Sequence, residues 1–335
     1  MDPVLPKVEV FAPFSAAVDL TKRILFQPFD LAKWLTIGFA AFLAGLADWT
    51  RFNLGFNVPD VSGRSRTHNL ELQEAVRSHL EAWLVGGLIA LLVLIAIAAI
   101  VLLMWLGSRG RFMFVDCMVR NRGAIAEPWR EYRREGNSLF LWSLLITAIS
   151  VAVAAVCALP LLVPYFTRGE FGDFGPGMLI YVISMVVLFV VAGCGIAFVT
   201  WFMVPVMYRQ RCSAWAAFML VGRLILREPA PFIFYALLGV VVLVAGGLLS
   251  CVVTCLTCCL AAVPYLGTVI LLPLYVFYYA YVLLFLRQFG PEYDVWANVA
   301  ALSQGSTASE PPSEPPPASP PAAGAPPSEP PPLPA

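Results

Sequence analysis

Histidine is nearly missing from this 335-residue chain, with only His68 and His79, and charged residues make up just 13% of it. The two histidines lie eleven positions apart in one polar stretch, and no HExxH, GxSxG, Walker A or GxGxxG arrangement occurs. The common signatures of metal hydrolysis, serine hydrolysis and nucleotide binding are therefore excluded. Lysine plus arginine and aspartate plus glutamate number 21 each, which leaves no net field to recruit nucleic acid. A further absence is more informative. The long apolar runs hold no Asp, Glu, Lys, Arg or His in their cores, whereas ion-coupled carriers keep such groups at about 2.5–3.5 kcal/mol each. Lipid handling or facilitated passage, which needs only hydroxyls, small residues and broken helices, stays open.

What is abundant is apolar surface: 60% of the residues are hydrophobic and the mean hydropathy is +0.80. Crossing a ~30 Å hydrocarbon layer takes about 20 apolar residues. Six runs qualify, at 31–49, 82–106, 139–165, 178–207, 232–261 and 267–287. The expected fold class is an all-α integral membrane protein with six transmembrane helices and amphipathic interfacial helices. A signal peptide ending near Ala47 is the rival reading of the first run, but Asp19, Asp30 and several phenylalanines precede it in place of a short basic segment. With both termini in the cytoplasm, only Arg51, Arg64, Arg66, Arg77 and Arg168 fall outside. The positive-inside rule thus favours that orientation, with the basic connectors on the cytoplasmic side.

Residues 1–302 form the expected membrane domain, and 303–335, which repeats SEPPP at 313 and 328, form a tail. That tail has too little apolar surface to offset chain entropy and is expected to be disordered, partly polyproline II, and cytoplasmic. Before the first run, Phe14, Val18 and Leu25 recur at helical spacing on a segment that ends at Pro28, which suits a helix lying among headgroups. Related blocks follow. Met118, Arg120, Arg122 and Arg134 align with Met207, Arg209, Arg211 and Arg223, and Pro28 with its flanks aligns with Pro229. Three units are predicted, each an interfacial helix followed by two spans; the alternative is that any cytoplasmic hairpin gathers arginines.

The arginine pairs Arg120 with Arg122 and Arg209 with Arg211 are the candidate contacts for anionic lipid headgroups, at roughly 1 kcal/mol per residue. Glu127, Glu131 and Glu135, interleaved with Arg130, Arg133 and Arg134, read as an ion-paired, solvated helix face. Cys251, Cys255, Cys258 and Cys259 share one face near the end of the fifth run. Packing at a helix contact explains them best, because apolar surroundings raise a thiol's pKa. A redox pair of Cys255 with Cys258 and a metal site are the alternatives. Pro273 points to a kink, and packing plus an interfacial aromatic belt explains Tyr275, Tyr278, Tyr279 and Tyr281 after it best, with hydroxyls that satisfy freed carbonyls or line a polar cleft as the alternative. Gly38, Ala41 and Gly45, and Gly239, Gly246 and Gly247, are expected at close helix contacts.

The block at 202–241, FMVPVMYRQRCSAWAAFMLVGRLILREPAPFIFYALLGVV, resembles the membrane region attached to some bacterial glycerophosphodiester phosphodiesterases, and 260–296 resembles the C-terminal end of bacterial membrane proteins of unknown function. The likeness extends over most of residues 10–296. It implies the membrane module alone, since enzymes of that kind carry their catalytic residues in a soluble barrel that has no counterpart here. No catalytic residue and no cofactor is assigned. Membrane lipid is the expected partner, with a protein partner through the interfacial helices or the proline-rich tail as a further option and no nucleic acid. The leading functional reading is a non-catalytic protein that engages lipid or a membrane partner; a carrier or flippase for an amphiphile and a lipid-processing enzyme are the alternatives.

Overall fold

A computed structural model describes residues 8–52, 73–168, 175–257, 263–297 and 299. Residues 53–72 of the external loop expected at 50–81, residues 169–174 of the glycine-rich turn expected at 167–177, His68, Cys258, Cys259 and the proline-rich tail lie outside the described residues. Ten helices and no strands occur among those that are described: α1 (Ala12–Phe26), α2 (Leu31–Phe52), α3 (Gln73–Val119), α4 (Ala126–Glu131), α5 (Arg133–Arg168), α6 (Pro176–Gln210), α7 (Ala214–Arg227), α8 (Pro229–Leu256), α9 (Pro264–Ile270) and α10 (Leu272–Arg287).

Local chemistry sets many of the boundaries. The second amide of α2 finds a partner in Asp30, whose carboxylate accepts from Ala32 N at 2.9 Å. Pro176, Pro229 and Pro264 each open a helix at the position where a missing N–H costs nothing. At the far end of α6, Arg211 turns the chain with a left-handed φ of 53°, and Asn121 does the same after α3 with φ 50°.

Four helices are long and apolar enough to cross a membrane, within Trp83–Val119, Arg133–Pro160, Pro176–Gln210 and Pro229–Leu256. The apolar stretches Leu31–Leu46 and Leu272–Arg287 are shorter. The kink expected at Pro273 is a complete break at Leu271 between α9 and α10. The second expected span also ends differently. The apolar run stops at 106, yet α3 continues through Arg109, Arg111 and Asp116 to Val119.

The core explains that continuation. Residues 107–119 of α3 are buried without interruption, as are 202–208 of α6, and α10 buries most of its length beside them. Aromatic rings dominate the contact, with Phe202 set edge-on to Phe232 and Tyr235, and Tyr235 stacked on Tyr281 at 4.9 Å. At Gly110 the α2 and α3 backbones touch: a Cβ there would stand 2.6 Å from the Leu43 carbonyl carbon. Away from this core, the side chains of α3, α5, α6 and α8 face outward, from Leu84 to Ile97 on α3 and from Leu237 to Leu249 on α8.

Helix α1 lays Ala17, Thr21 and Ile24 against α10 and sets Phe14 edge-on to Phe277. Ahead of it, Glu9 and Gln288 exchange two 2.8 Å hydrogen bonds, and Tyr281 Oη donates to Val10 O.

Candidate functional site

Two assemblies at the buried ends of α3 and α6 collect the polar chemistry. The first begins with Asp116, which is fully buried on α3. Its carboxylate accepts from Tyr208 Oη of α6 at 2.9 Å and pairs with Arg120 Nε at 3.0 Å, one helical turn on, and with Arg122 at 3.3 Å. Both arginines then reach out of the core. Arg120 meets Glu131 at 3.0 Å and Glu127 at 3.3 Å, while Arg122 meets Glu127 at 2.7 Å. From the opposite connector, Arg211 pairs with Glu131 and lies 3.6 Å from Glu135, with its guanidinium 3.9 Å from the centre of the Tyr132 ring. Tyr132 in turn stacks with Tyr208 at 4.7 Å and with Phe112.

The ion pairs differ from those expected. Glu127 and Glu131 are engaged by Arg120, Arg122 and Arg211, and not by the interleaved Arg130, Arg133 and Arg134. The physical reason is geometric: Arg120 and Arg122 lie on the turn that follows α3, directly facing α4. Three of the four candidate headgroup arginines thus already hold protein carboxylates. Arg209, the fourth, donates to Pro291 O at 3.4 Å and anchors the C-terminal turn.

Charge at the surface of this assembly responds to its partners. The hydrogen bond from Arg122 holds the Glu127 carboxyl below the usual glutamate range. That same bond raises Arg122. Burial works against the Arg120 charge, but the Asp116 and Glu131 carboxylates outweigh it and leave the guanidinium more basic than usual.

A neighbouring cage holds Arg109. Its guanidinium donates to Asn137 Oδ1 at 2.9 Å and sits 4.4 Å from the Trp105 ring centre and 4.9 Å from Trp129. Trp105 Nε1 donates to the same Asn137 oxygen at 3.2 Å. Nothing in the spacing of Trp105, Arg109, Trp129 and Asn137 marks them as partners beyond the one-turn step from Trp105 to Arg109.

The second assembly is a cavity of about 650 Å³ among α6, α8 and α10, with Arg111 of α3 in its wall. Tyr235, Tyr275, Tyr278, Tyr279 and Tyr281 line it. The tyrosines after Pro273 do line a cleft, but its walls are mainly apolar instead of polar, and Tyr235 and Arg111 join them without any signal in their spacing. Tyr278 Oη donates to Val242 O at 2.8 Å, passing over Gly246, where a side chain would collide with the hydroxyl.

Among the described residues no group of three His, Cys, Asp or Glu is placed to hold a metal ion. Cys251 and Cys255 are exposed free thiols on α8, and Cys117 is buried. The suggested partner of Cys255, Cys258, lies outside the described residues.

No curated protein and no solved structure matches the chain. One family model does, over residues 9–287, which includes both assemblies and every described helix from α1 to α10. The chain belongs to that group, a family of unknown function designated DUF7544.

Proposed function

We propose that this is a non-catalytic integral membrane protein of six spans, with both termini in the cytoplasm, which engages the inner leaflet through the interfacial helices α1 and α7. One observation carries the reading: α7 is apolar on two faces. Ala214, Ala217 and Val221 are buried against the bundle, while Trp215, Met219 and Leu226 are exposed on another face beside Arg223 and Arg227. A water-facing helix would place polar groups there; an interfacial one places tryptophan, leucine and basic residues. Phe11, Phe26 and Phe29 around α1 are exposed in the same manner.

Lengths support the six spans. Helix α2 has 22 residues, about 33 Å at 1.5 Å each, and α9 with α10 covers a comparable distance across the Leu271 break. The three units are supported by the succession of a shorter helix and a long one in α1–α2, α4–α5 and α7–α8, although α4 has only six residues. The likeness to phosphodiesterase-attached membrane modules belongs to the same reading.

A nitroxide attached at position 219 tests the lipid contact. In reconstituted vesicles it is accessible to oxygen and shielded from a water-soluble nickel chelate; equal access to the chelate would refute an embedded α7. A second reading, a carrier for a lipid or small amphiphile, draws on the cavity and the α9–α10 break. Protein-dependent movement of labelled lipid across vesicle bilayers separates the two.

A further inference from the structure

The cavity wall combines three features that together specify a ligand class. Its volume, about 650 Å³, falls inside the range of roughly 300–1,000 Å³ occupied by small-molecule sites. It opens sideways: Val240 and Leu243, both in its lining, are 59% and 66% exposed and continue the outward-facing apolar surface of α8. Its inner wall carries one cation, Arg111, and no carboxylate among the described lining residues. Arg111 has a contact of its own within the protein. Arg111 is 4% exposed, and its guanidinium carries five N–H donors in a planar fork.

We infer that this cavity is a binding site for an anionic phospholipid of the surrounding bilayer, with one acyl chain between α6 and α8 and the phosphate directed to Arg111. The inference rests on the membrane-spanning reading above. Phospholipid is favoured over a water-borne anion because the lateral opening faces apolar surface. The tyrosine rings offer a chain flat apolar walls. Arg111 lies eight residues, about 12 Å, before the last residue of α3, a depth suited to a headgroup drawn inward from the leaflet surface. The space beside Gly239 in the lining is open, for a Cβ built there meets nothing within 4 Å.

Trp201 lies in the lining, its ring 5.0 Å from Tyr279, and provides a reporter inside the site. The test uses the full chain reconstituted in phosphatidylcholine vesicles with a small fraction of dibrominated phosphatidylglycerol or dibrominated phosphatidylcholine. Trp201 emission is isolated by difference against Trp201→Phe. The expected result is quenching by the anionic lipid at about fivefold lower mole fraction, the preference a single nearby cationic side chain gives. Arg111→Gln should keep quenching and lose the preference. Gly239→Phe, which adds bulk where there is open space, should lower quenching by both lipids and erase the difference, and it serves where Arg111→Gln does not fold. Equal quenching by the two lipids, or a preference that survives Gly239→Phe, would overturn the assignment. Quenching by brominated stearate alone would give the cavity to a free fatty acid instead. Trp83, 81% exposed on α3, is the control. If neither lipid quenches it, the membrane-spanning reading has failed; if both do and Trp201 shows no preference, only the site has.

Discussion

Arg109, Arg120, Arg122 and Arg211 show how this chain accommodates cations in and around an apolar core: each is matched to an aromatic face, an amide oxygen or a carboxylate. Arg109 is the most enclosed of them, held between two tryptophans with both Nε and Nη2 on Asn137. A lysine keeps the charge but loses the planar fork and the stacking. Arg109→Lys should therefore lower stability by roughly 2 kcal/mol, the scale of a desolvated cation–π contact, and alter the near-UV circular dichroism of the paired tryptophans; an unchanged spectrum and melting temperature would show the cage to be incidental. At the rim, Glu127 gives a pH dependence with a definite sign. Its folded pKa is depressed, so its ion pair contributes above the ordinary glutamate value near 4.5 and is lost as pH falls through the lowered folded value. Thermal unfolding should show wild type more stable than Glu127→Gln at pH 7, with the two converging in acid below the glutamate range. A gap that persists or widens there would contradict the assignment. The sequence displays every one of these charges but pairs Glu127 and Glu131 with the interleaved arginines of their own segment and gives Arg109 no partner. Arg211 and Glu131 are 80 positions apart, and helical spacing reports only on neighbours within a turn or two.

At the scale of elements, close approach is governed by glycines, and single positions decide it. Gly38 meets Val269 of α9 and Gly246 meets Tyr278 of α10, as the small-residue pattern led one to expect, but Gly45, Gly239 and Gly247 face open space. At the backbone-to-backbone crossing of α2 over α3, Gly110 meets Leu43 and Ala44 within the small-residue run of α2, but on α3 it sits between Arg109 and Arg111, whose charges mask it in the sequence. Gly110→Ala would push a methyl to within 2.6 Å of the α2 backbone. It should destabilise by about 1–3 kcal/mol or more, whereas Gly45→Ala, with no atom within 4 Å of the new carbon, should be nearly silent. Thermal unfolding of the two variants in detergent checks the contrast, and equal stabilities would refute the proposed contact. The long apolar helices were legible from hydropathy because length and composition alone specify them. The extension of α3 to Val119 was not, since Arg109, Arg111 and Asp116 read as a connector until their buried partners on α5, α6 and the following turn are known.

For the whole molecule, burial is concentrated where α3, α6 and α10 meet, and apolar side chains face outward along most of α3, α5, α6 and α8. In water such a surface would aggregate; in lipid it is the solvated state. The turn after α3, α4 with the tryptophan cage, and the turn that leads into α7 meet through Arg120, Glu131 and Arg211, and the proposed topology assigns them one membrane surface. That arrangement makes the sidedness of the connectors the central claim. Cysteines introduced singly at Ser65, Arg130 and Ser306 of a cysteine-depleted chain, probed in intact cells with a membrane-impermeant maleimide, test it most directly. Labelling at Ser65 alone is the predicted result, with Arg130 and Ser306 reacting only after the cells are opened. Labelling of Arg130 or Ser306 from outside would contradict it.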